Sequence, residues 1–504
     1  MNKFYLLILF MVATIATNAQ SGVVDESFGN NGFVNTVING TYNVTRATVV
    51  QPDGKIIVVG QAGEPSTYIA VAARFNTDGS IDTSFGEDGN VLMPIGSMKS
   101  FATDVALQAD GKIVMSGYTW DNVTGDIFAL RLNTDGTFDN SFGSNGVALV
   151  DNGSDVSEAV TIQDDGKILV GGYSNDNFTV ARFNTDGTLD STFGSNGWST
   201  TTFPNAPSYV KDVKVQDDGK IVLGGFLINN QNTFEMALAR INSDGSIDNS
   251  FGTDGMVSFN IGNGNDFGEA LAIQDDGKIL LGGHKWISNI GLKHDLAVVR
   301  LNEDGTFDNT YGDNGVTTAR LEDGPNYSDD IVLQDDGKVI IAGYSVRETE
   351  YNLAMARFDT NGNLDSTFGV DGMVSTDFNQ REDYGTAITL QPDNKIILAG
   401  YSYAPTGGSE VIVVRYDNVV LGTEDFQNVK FNLFPNPANS QITVQLSDAS
   451  TSYKLEIYDV SGKKVYASEI QNTANINVSD FASGAYLVKL TSDNNSSVVR
   501  FVKQ

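Results

Sequence analysis

Short runs of Val, Ile, Leu, Phe and Ala alternate along most of this chain with clusters of Gly, Asn and Asp. In the first stretch the runs are Phe33 to Ile38, Arg46 to Gln51, Lys55 to Gly60 and Ile69 to Asn76. β-Branched and aromatic residues bounded by turn formers predict strands. Asp53-Gly54, between two apolar runs, predicts a hairpin, because a primed turn needs positive φ and Gly and Asp tolerate it. No segment sustains helical periodicity, so every predicted element is a strand.

The pattern is organised around a fourteen-residue phrase, seen cleanly from Asn184 to Gly197. It returns at Asn76 to Gly89, Asn133 to Gly146, Asn242 to Gly255, Asn302 to Gly315 and Asp359 to Gly372. A seventh copy is split: its second half is Asp25 to Gly32, and its opening, Asp417-Asn418, stands near the other end. Three markers accompany it. A Phe/Tyr-Gly pair falls at Phe28, Phe85, Phe142, Phe193, Phe251, Tyr311 and Phe368. A Gln-x-Asp-Gly-Lys turn begins at Gln51, Gln108, Gln163, Gln216, Gln274, Gln334 and, with Asn394 for Gly, Gln391. An Arg ends the next apolar run at Arg74, Arg131, Arg182, Arg240, Arg300, Arg357 and Arg415. Four antiparallel strands repeated seven times predict an all-β fold, a seven-bladed β-propeller over residues 20–418, since units this short and uniform stack better than they stand alone.

Within this frame the phrase is expected to carry the chain from the outer strand of one blade to the inner strand of the next, with its Phe filling the wedge between them. The strand before it is apolar on both faces, so its terminal Arg needs a carboxylate. Eight residues on, an Asp recurs, giving the expected clamps Arg74/Asp82, Arg131/Asp139, Arg182/Asp190, Arg240/Asp248, Arg300/Asp308 and Arg357/Asp365. Arg415 has no such Asp after it. If the ring closes, Asp25 supplies one.

The repeated Ala-Arg-x-Asn-x-Asp-Gly-x-x-Asp-x-Ser/Thr-Phe-Gly-x-x-Gly pattern, with Gln-x-Asp-Gly-Lys-Ile, resembles the delta-60 repeat family of bacterial secreted proteins. The resemblance implies a propeller-like surface protein and brings no catalytic residues. Copy seven departs from the pattern at Asn394 and lacks its terminal Phe-Gly.

After a linker at 419–430 the texture changes. Phe434-Pro-Asn-Pro437, Tyr458-Asp459-Val-Ser-Gly462-Lys463, Gly484-Ala-Tyr486 and the ending Arg500 to Gln504 closely resemble the type A C-terminal sorting domain of type IX secretion. Its residues, 431–504, alternate in several short strands, which predicts a small Ig-like β-sandwich. The resemblance implies the type IX secretion machinery as partner and transit of the outer membrane, as in Bacteroidetes-type bacteria. At the other end, residues 1–19 have one Lys, an apolar run and a small-residue close, the pattern of a secretory signal peptide. The expected destination is the outer-membrane surface or the medium.

Composition narrows the chemistry. A net charge of −32 excludes nucleic acid as a natural partner. No Cys is present, so no disulfide or thiolate ligand forms. With only His284 and His294, neither a multi-His zinc site nor a Ser-His-Asp triad assembles convincingly. No cofactor is expected; structural calcium stays open, because Asn-x-Asp-Gly-x-x-Asp offers oxygen ligands at a spacing unlike the EF-hand loop.

The Gln-to-Arg spacing alone varies widely among the units, from 19 to 26, which places the length variation in the third-to-fourth-strand hairpin. Variable loops on a fixed scaffold are where binding is grafted. The longest, in the fifth unit, carries His284, Lys285, Trp286, Lys293 and His294, a basic aromatic patch on an acidic protein. The expected function is a non-enzymatic module binding glycan or surface protein. The alternative is a secreted carboxylate-dependent hydrolase acting on glycans at the propeller channel; a non-repeat Asp/Glu pair converging on that channel would discriminate them.

Overall fold

The computed structural model describes residues 21–504 apart from 97–98, 154, 263, 288–292, 322–323, 349, 406, 419–430, 447–452, 460–462 and 492–495. The expected signal peptide and linker lie outside the described residues. The chain divides into two compact units, Met1–Val419 and Val420–Gln504.

The first unit is a closed ring of seven four-stranded antiparallel blades. Blade 1 runs Tyr42–Val50, Ile56–Gly63, Ile69–Phe75 and Asn90–Met93, from inner to outer strand. Blades 2 to 6 repeat that order, with inner strands Lys99–Leu107, Asp155–Ile162, Ser208–Val215, Phe267–Ile273 and Asn326–Leu333. Blade 7 takes Asp383–Leu390, Ile396–Tyr403 and Ser409–Asp417 from the end of the repeat region, and its outer strand, Phe33–Thr36, from the beginning. Successive inner strands pack side by side around the ring, blade 7 against blade 1. The second strand of every blade is buried over its first five residues, as in Ile56 to Gly60, because a neighbouring blade covers each face.

This corrects the strand frame expected from the sequence. Phe33 to Ile38 does not belong with the three runs that follow it; it completes blade 7. The phrase therefore joins the third strand to the outer strand of one blade, not one blade to the next. In copy one the Asp82 amide donates to the Arg74 carbonyl (2.9 Å) and the Arg74 amide to the Gly89 carbonyl (3.0 Å), folding the phrase back onto its own third strand. The variable hairpin is likewise the second-to-third-strand connection.

Register separates the two faces of the ring. Val50 pairs with Ile56 beside the Asp53-Gly54 turn, whereas Tyr42 pairs with Gly63 at the opposite edge. One face thus holds the Asp-Gly turns, the phrases and the Arg/Asp clamps. The other holds the variable hairpins and the segments that pass between blades.

The constant face ties the blades together. Arg74 Nε donates to Asp82 Oδ2 at 2.7 Å, and the same geometry recurs at 2.7–2.9 Å in the other five local clamps. The Lys of each Gln-x-Asp-Gly-Lys turn shares the carboxylate, as Lys55 does with Asp82 at 2.9 Å. Arg74 Nη1 then crosses to the next blade and donates to the Thr134 carbonyl at 2.5 Å. Its guanidinium carbon stands 4.5 Å from the centroid of Phe85, which is fully buried among residues of blades 1 and 2.

At the closure the phrase is reassembled from both ends of the unit. The Gly22 amide donates to the Asp417 carbonyl as Gly79 does to Asn76, and the Gly369 amide to the Ser21 carbonyl as Gly86 does to Asp135. Ser21-Gly22 therefore fills the Asp-Gly place of the phrase, and Asp25 the clamp position. Arg357 Nη1, lacking a backbone carbonyl from an intact phrase, donates instead to Asn418 Oδ1 (2.7 Å) and Ser21 Oγ (2.9 Å).

The second unit has two antiparallel sheets. One contains Phe431–Phe434, Gln441–Leu446 and Thr473–Asn477; the other Lys464–Ile470, Tyr453–Asp459, Gly484–Thr491 and Ser496–Lys503. Ile442, Val444, Leu455, Ile457, Val488 and Phe501 form its core.

Candidate functional site

Each inner strand carries a bulge, and the bulged residue differs from blade to blade. Register shifts flank Arg46, Thr103, Glu158, Lys211, Glu269, Asp329 and Thr386, in blades 1 to 7. A bulge re-aims a side chain out of the ladder, and here all seven line the central channel. They ring a cavity of ≈ 190 Å³ that also contacts Phe101 and Tyr118. A second cavity of ≈ 120 Å³ continues from the same ring and adds Asp104, Asp212, Lys214 and Asp330.

The ring is electrically uneven. Lys211 Nζ lies 3.4 Å from Glu158 and 3.8 Å from Glu269, tying blades 3, 4 and 5. Burial pushes the Glu269 carboxyl up to about 8 despite Lys211, with Asp329 and Glu158 adding to the rise. Burial likewise raises Asp329 to about 6, opposed by Lys211 and Arg46. Glu158 lifts Lys211 above its ordinary range, against the effect of burial.

Below this ring the even blades carry Asp104, Asp212 and Asp330 where the odd ones carry Ala47, Ala159, Ala270 and Ala387. Each Asp accepts the next residue's amide and one from the following blade: Val160, Leu271 and Ile388 at 2.7–2.9 Å. These acids stitch blades in pairs. Burial raises Asp104 and Asp330 to about 7.

Above the ring, toward the variable hairpins, lies an aromatic collar. It consists of cross-strand pairs two residues before each bulge: Phe101/Tyr118, Val156/Tyr173, Tyr209/Phe226, Phe267/His284, Tyr327/Tyr344 and Tyr384/Tyr401. Neighbouring blades touch through it, Tyr173 to Tyr209 at 4.9 Å, Phe226 to Phe267 at 5.2 Å and Tyr344 to Tyr384 at 4.9 Å between centroids. Most of these rings are half-buried. Blade 1 breaks the collar, with Val44 and Gln61 in its place.

The fifth-blade hairpin joins this collar. His284 stacks on Phe267 at 4.8 Å, and His294 meets Trp286 and Tyr327 at 5.0 Å. Both histidines are buried. Burial, reinforced by His294, drives the His284 pKa down to about 3, and burial also lowers His294. They are neutral members of an aromatic row, so the expected basic patch is reduced to Lys285 and Lys293, both half-buried. Part of the loop, 288–292, lies outside the described residues. Among the described residues no group of three or more His, Asp or Glu is arranged to hold a metal ion.

The seven bulge residues were not among the candidates chosen from sequence. The signal was present: each stands five residues before the Gln marker, the one polar position there that never settles.

A family model described as "Domain of unknown function (DUF5122) beta-propeller" matches residues 51–85, 108–142, 163–193, 216–251, 274–311, 334–368 and 391–419. One described as "Secretion system C-terminal sorting domain" matches residues 432–504. The chain is a seven-repeat β-propeller with a secretion sorting tail. The tail sends the propeller to the cell surface or the extracellular space. No curated protein matches the sequence. Among solved structures, the polysaccharide lyase Uly1 is similar at 9 % identity over 81 % of this chain and 94 % of that one, TM-score 0.44. Sqt1 from Chaetomium thermophilum is similar at 12 % identity over 75 % and 86 %, TM-score 0.39. The PQQ-bound aldose sugar dehydrogenase from Streptomyces coelicolor is similar at 12 % over 76 % and 98 %, TM-score 0.35. Likeness this remote carries no chemistry to the propeller.

Proposed function

We propose that this exported propeller is a non-enzymatic glycan-binding module whose site is the channel mouth on the variable face. The half-exposed aromatic collar above a polar ring carries the reading. A pocket lined by aromatic faces with a few convergent polar groups suits a ligand that is apolar on one side and hydroxylated on the other, as a sugar ring is. The variable hairpins border the same mouth, Trp286 among them. A glycan array probed with the purified mature chain tests this. Retention of defined oligosaccharides, lost in Tyr384→Ala and weakened in Trp286→Ala, supports it; unchanged retention in Tyr384→Ala sinks the collar as the site.

One observation favours a second reading. Glu158, Glu269 and Asp329 break the repeat and converge on the channel, and burial pushes the Glu269 carboxyl up to about 8. An acid with a raised pKa beside a second carboxyl group is what general-acid hydrolysis of a glycan needs. Turnover of a retained oligosaccharide by the wild type and not by Glu269→Gln would replace binding with hydrolysis.

A further inference from the structure

We propose that the channel mouth takes the carboxylate of an acidic sugar, a uronate, on Arg46. This rests on the glycan reading above and adds the class of glycan.

The protein has 63 acidic residues to 31 Lys and Arg, so a cation readily finds a carboxylate. The clamp arginines each have one, and Lys211 has two. Arg46 has none within 4 Å among the described residues. Its side chain is exposed into the channel, and its one hydrogen bond is a long one, from Nε to Gln61 Oε1 at 3.4 Å. Its neighbours around the ring, Thr103 and Thr386, carry no charge. The rest of the ring holds the Glu158–Lys211–Glu269 bridge and Asp329, whose carboxyl feels the Arg46 charge from across the channel, so Arg46 is the ring cation left without a carboxylate in contact.

The collar is interrupted at that place. Val44 and Gln61 stand where blades 2, 4, 5, 6 and 7 present two rings each, so no aromatic ring of its own blade stands over Arg46. Tyr118 and Tyr401 flank the gap, and both feel the Arg46 charge. A sugar stacked on either ring brings its substituents over the guanidinium. A guanidinium is a planar fork matched to the two oxygens of a carboxylate, which a hydroxyl cannot replace.

Calorimetric titration of the mature chain separates this from the parent reading. The probes are trigalacturonate, its fully methyl-esterified form and tetraglutamate. We expect trigalacturonate to bind about tenfold tighter than the ester, the effect of one charge-assisted pair. Arg46→Gln should erase that difference, Arg46→Lys should keep part of it, and Lys99→Gln, the same charge change outside the channel, should leave it intact. Arg46 makes no ion pair, so its variants should melt with the wild type. Equal binding of acid and ester, both weakened by Tyr384→Ala, overturns the uronate assignment and leaves the glycan site standing. Tetraglutamate bound in preference to both makes the ligand a peptide. Binding of none of the three also overturns the assignment, and the array of neutral glycans then decides the parent reading by itself.

Discussion

Arg415 Nε donates to Asp25 Oδ2 at 2.7 Å across 390 positions of sequence. Lys395 shares that carboxylate, Ser27 caps it, and Arg415 reaches on to the Thr77 carbonyl of blade 1 at 2.5 Å. The other six clamps fold a phrase onto its own strand; this one holds the ends of the ring together. Breaking a buried ion pair from one side costs about 3–5 kcal/mol, because the remaining charge stays buried. Asp25→Ala should therefore lower the melting temperature well beyond Asp164→Ala, an exposed change expected within about 0.5 kcal/mol. Equal melting of the two variants would show that the closure does not depend on this pair.

The wedge residue makes a second prediction. Phe85 is fully buried between blades 1 and 2 and supports the Arg74 guanidinium on its face. Phe85→Ala should cost about 3–5 kcal/mol through the cavity left behind. Urea titration reads this directly, and a loss under about 1 kcal/mol would mean that the blades close over the gap.

Stability should depend on pH from both sides. Burial opposes ionisation of the clamp carboxylates, but their Ser, Thr, Lys and Arg partners outweigh it, holding Asp248 and Asp365 at about 2. Depressed acids stabilise above their unfolded pKa near 4, and that stability is lost as pH falls toward 2. The channel acids act in the opposite sense. Glu269, Asp329, Asp104 and Asp330 are raised mainly by burial, so they stabilise the protonated fold at low pH, and this is lost as pH rises through about 6 to 8. Melting temperatures should peak near pH 4–5 and fall on either side. In Glu269→Gln the alkaline decline should shrink; an unaltered profile would remove Glu269 from the account.

The tail gives a prediction in cells. Deleting 431–504 should leave the propeller folded and retained in the periplasm, assayed by fractionation. Normal release of the truncated chain would show that export uses another signal.

The blade number and strand content could be read from the sequence because turn residues and apolar runs recur with little variation. The blade frame could not. A repeat on a ring has no natural starting point, and the outer strand, only four residues in Asn90–Met93, is too short to announce its partner. Pairing places Phe33 opposite Val414, a relation no local pattern records. The channel was hidden for another reason. Arg46 and its six counterparts sit on bulges, where the two-residue alternation that sorts inward from outward positions slips by one. The fifth-blade hairpin was visible as the longest loop, but His284 and His294 were misjudged, because charge depends on the aromatic neighbours that fold around them.

Chain continuity gives the closing strand a mechanical role. Ser409–Asp417 leads straight into the linker and the sorting tail, so any pull on the tail enters the propeller there. The load runs along a strand zipped on both sides, to Ile396–Tyr403 and to Phe33–Thr36 with Val23–Val24, and must shear the two ladders together. A ring sealed by residues 23–36 is thus zipped on both edges of the strand from which the chain continues to the sorting tail.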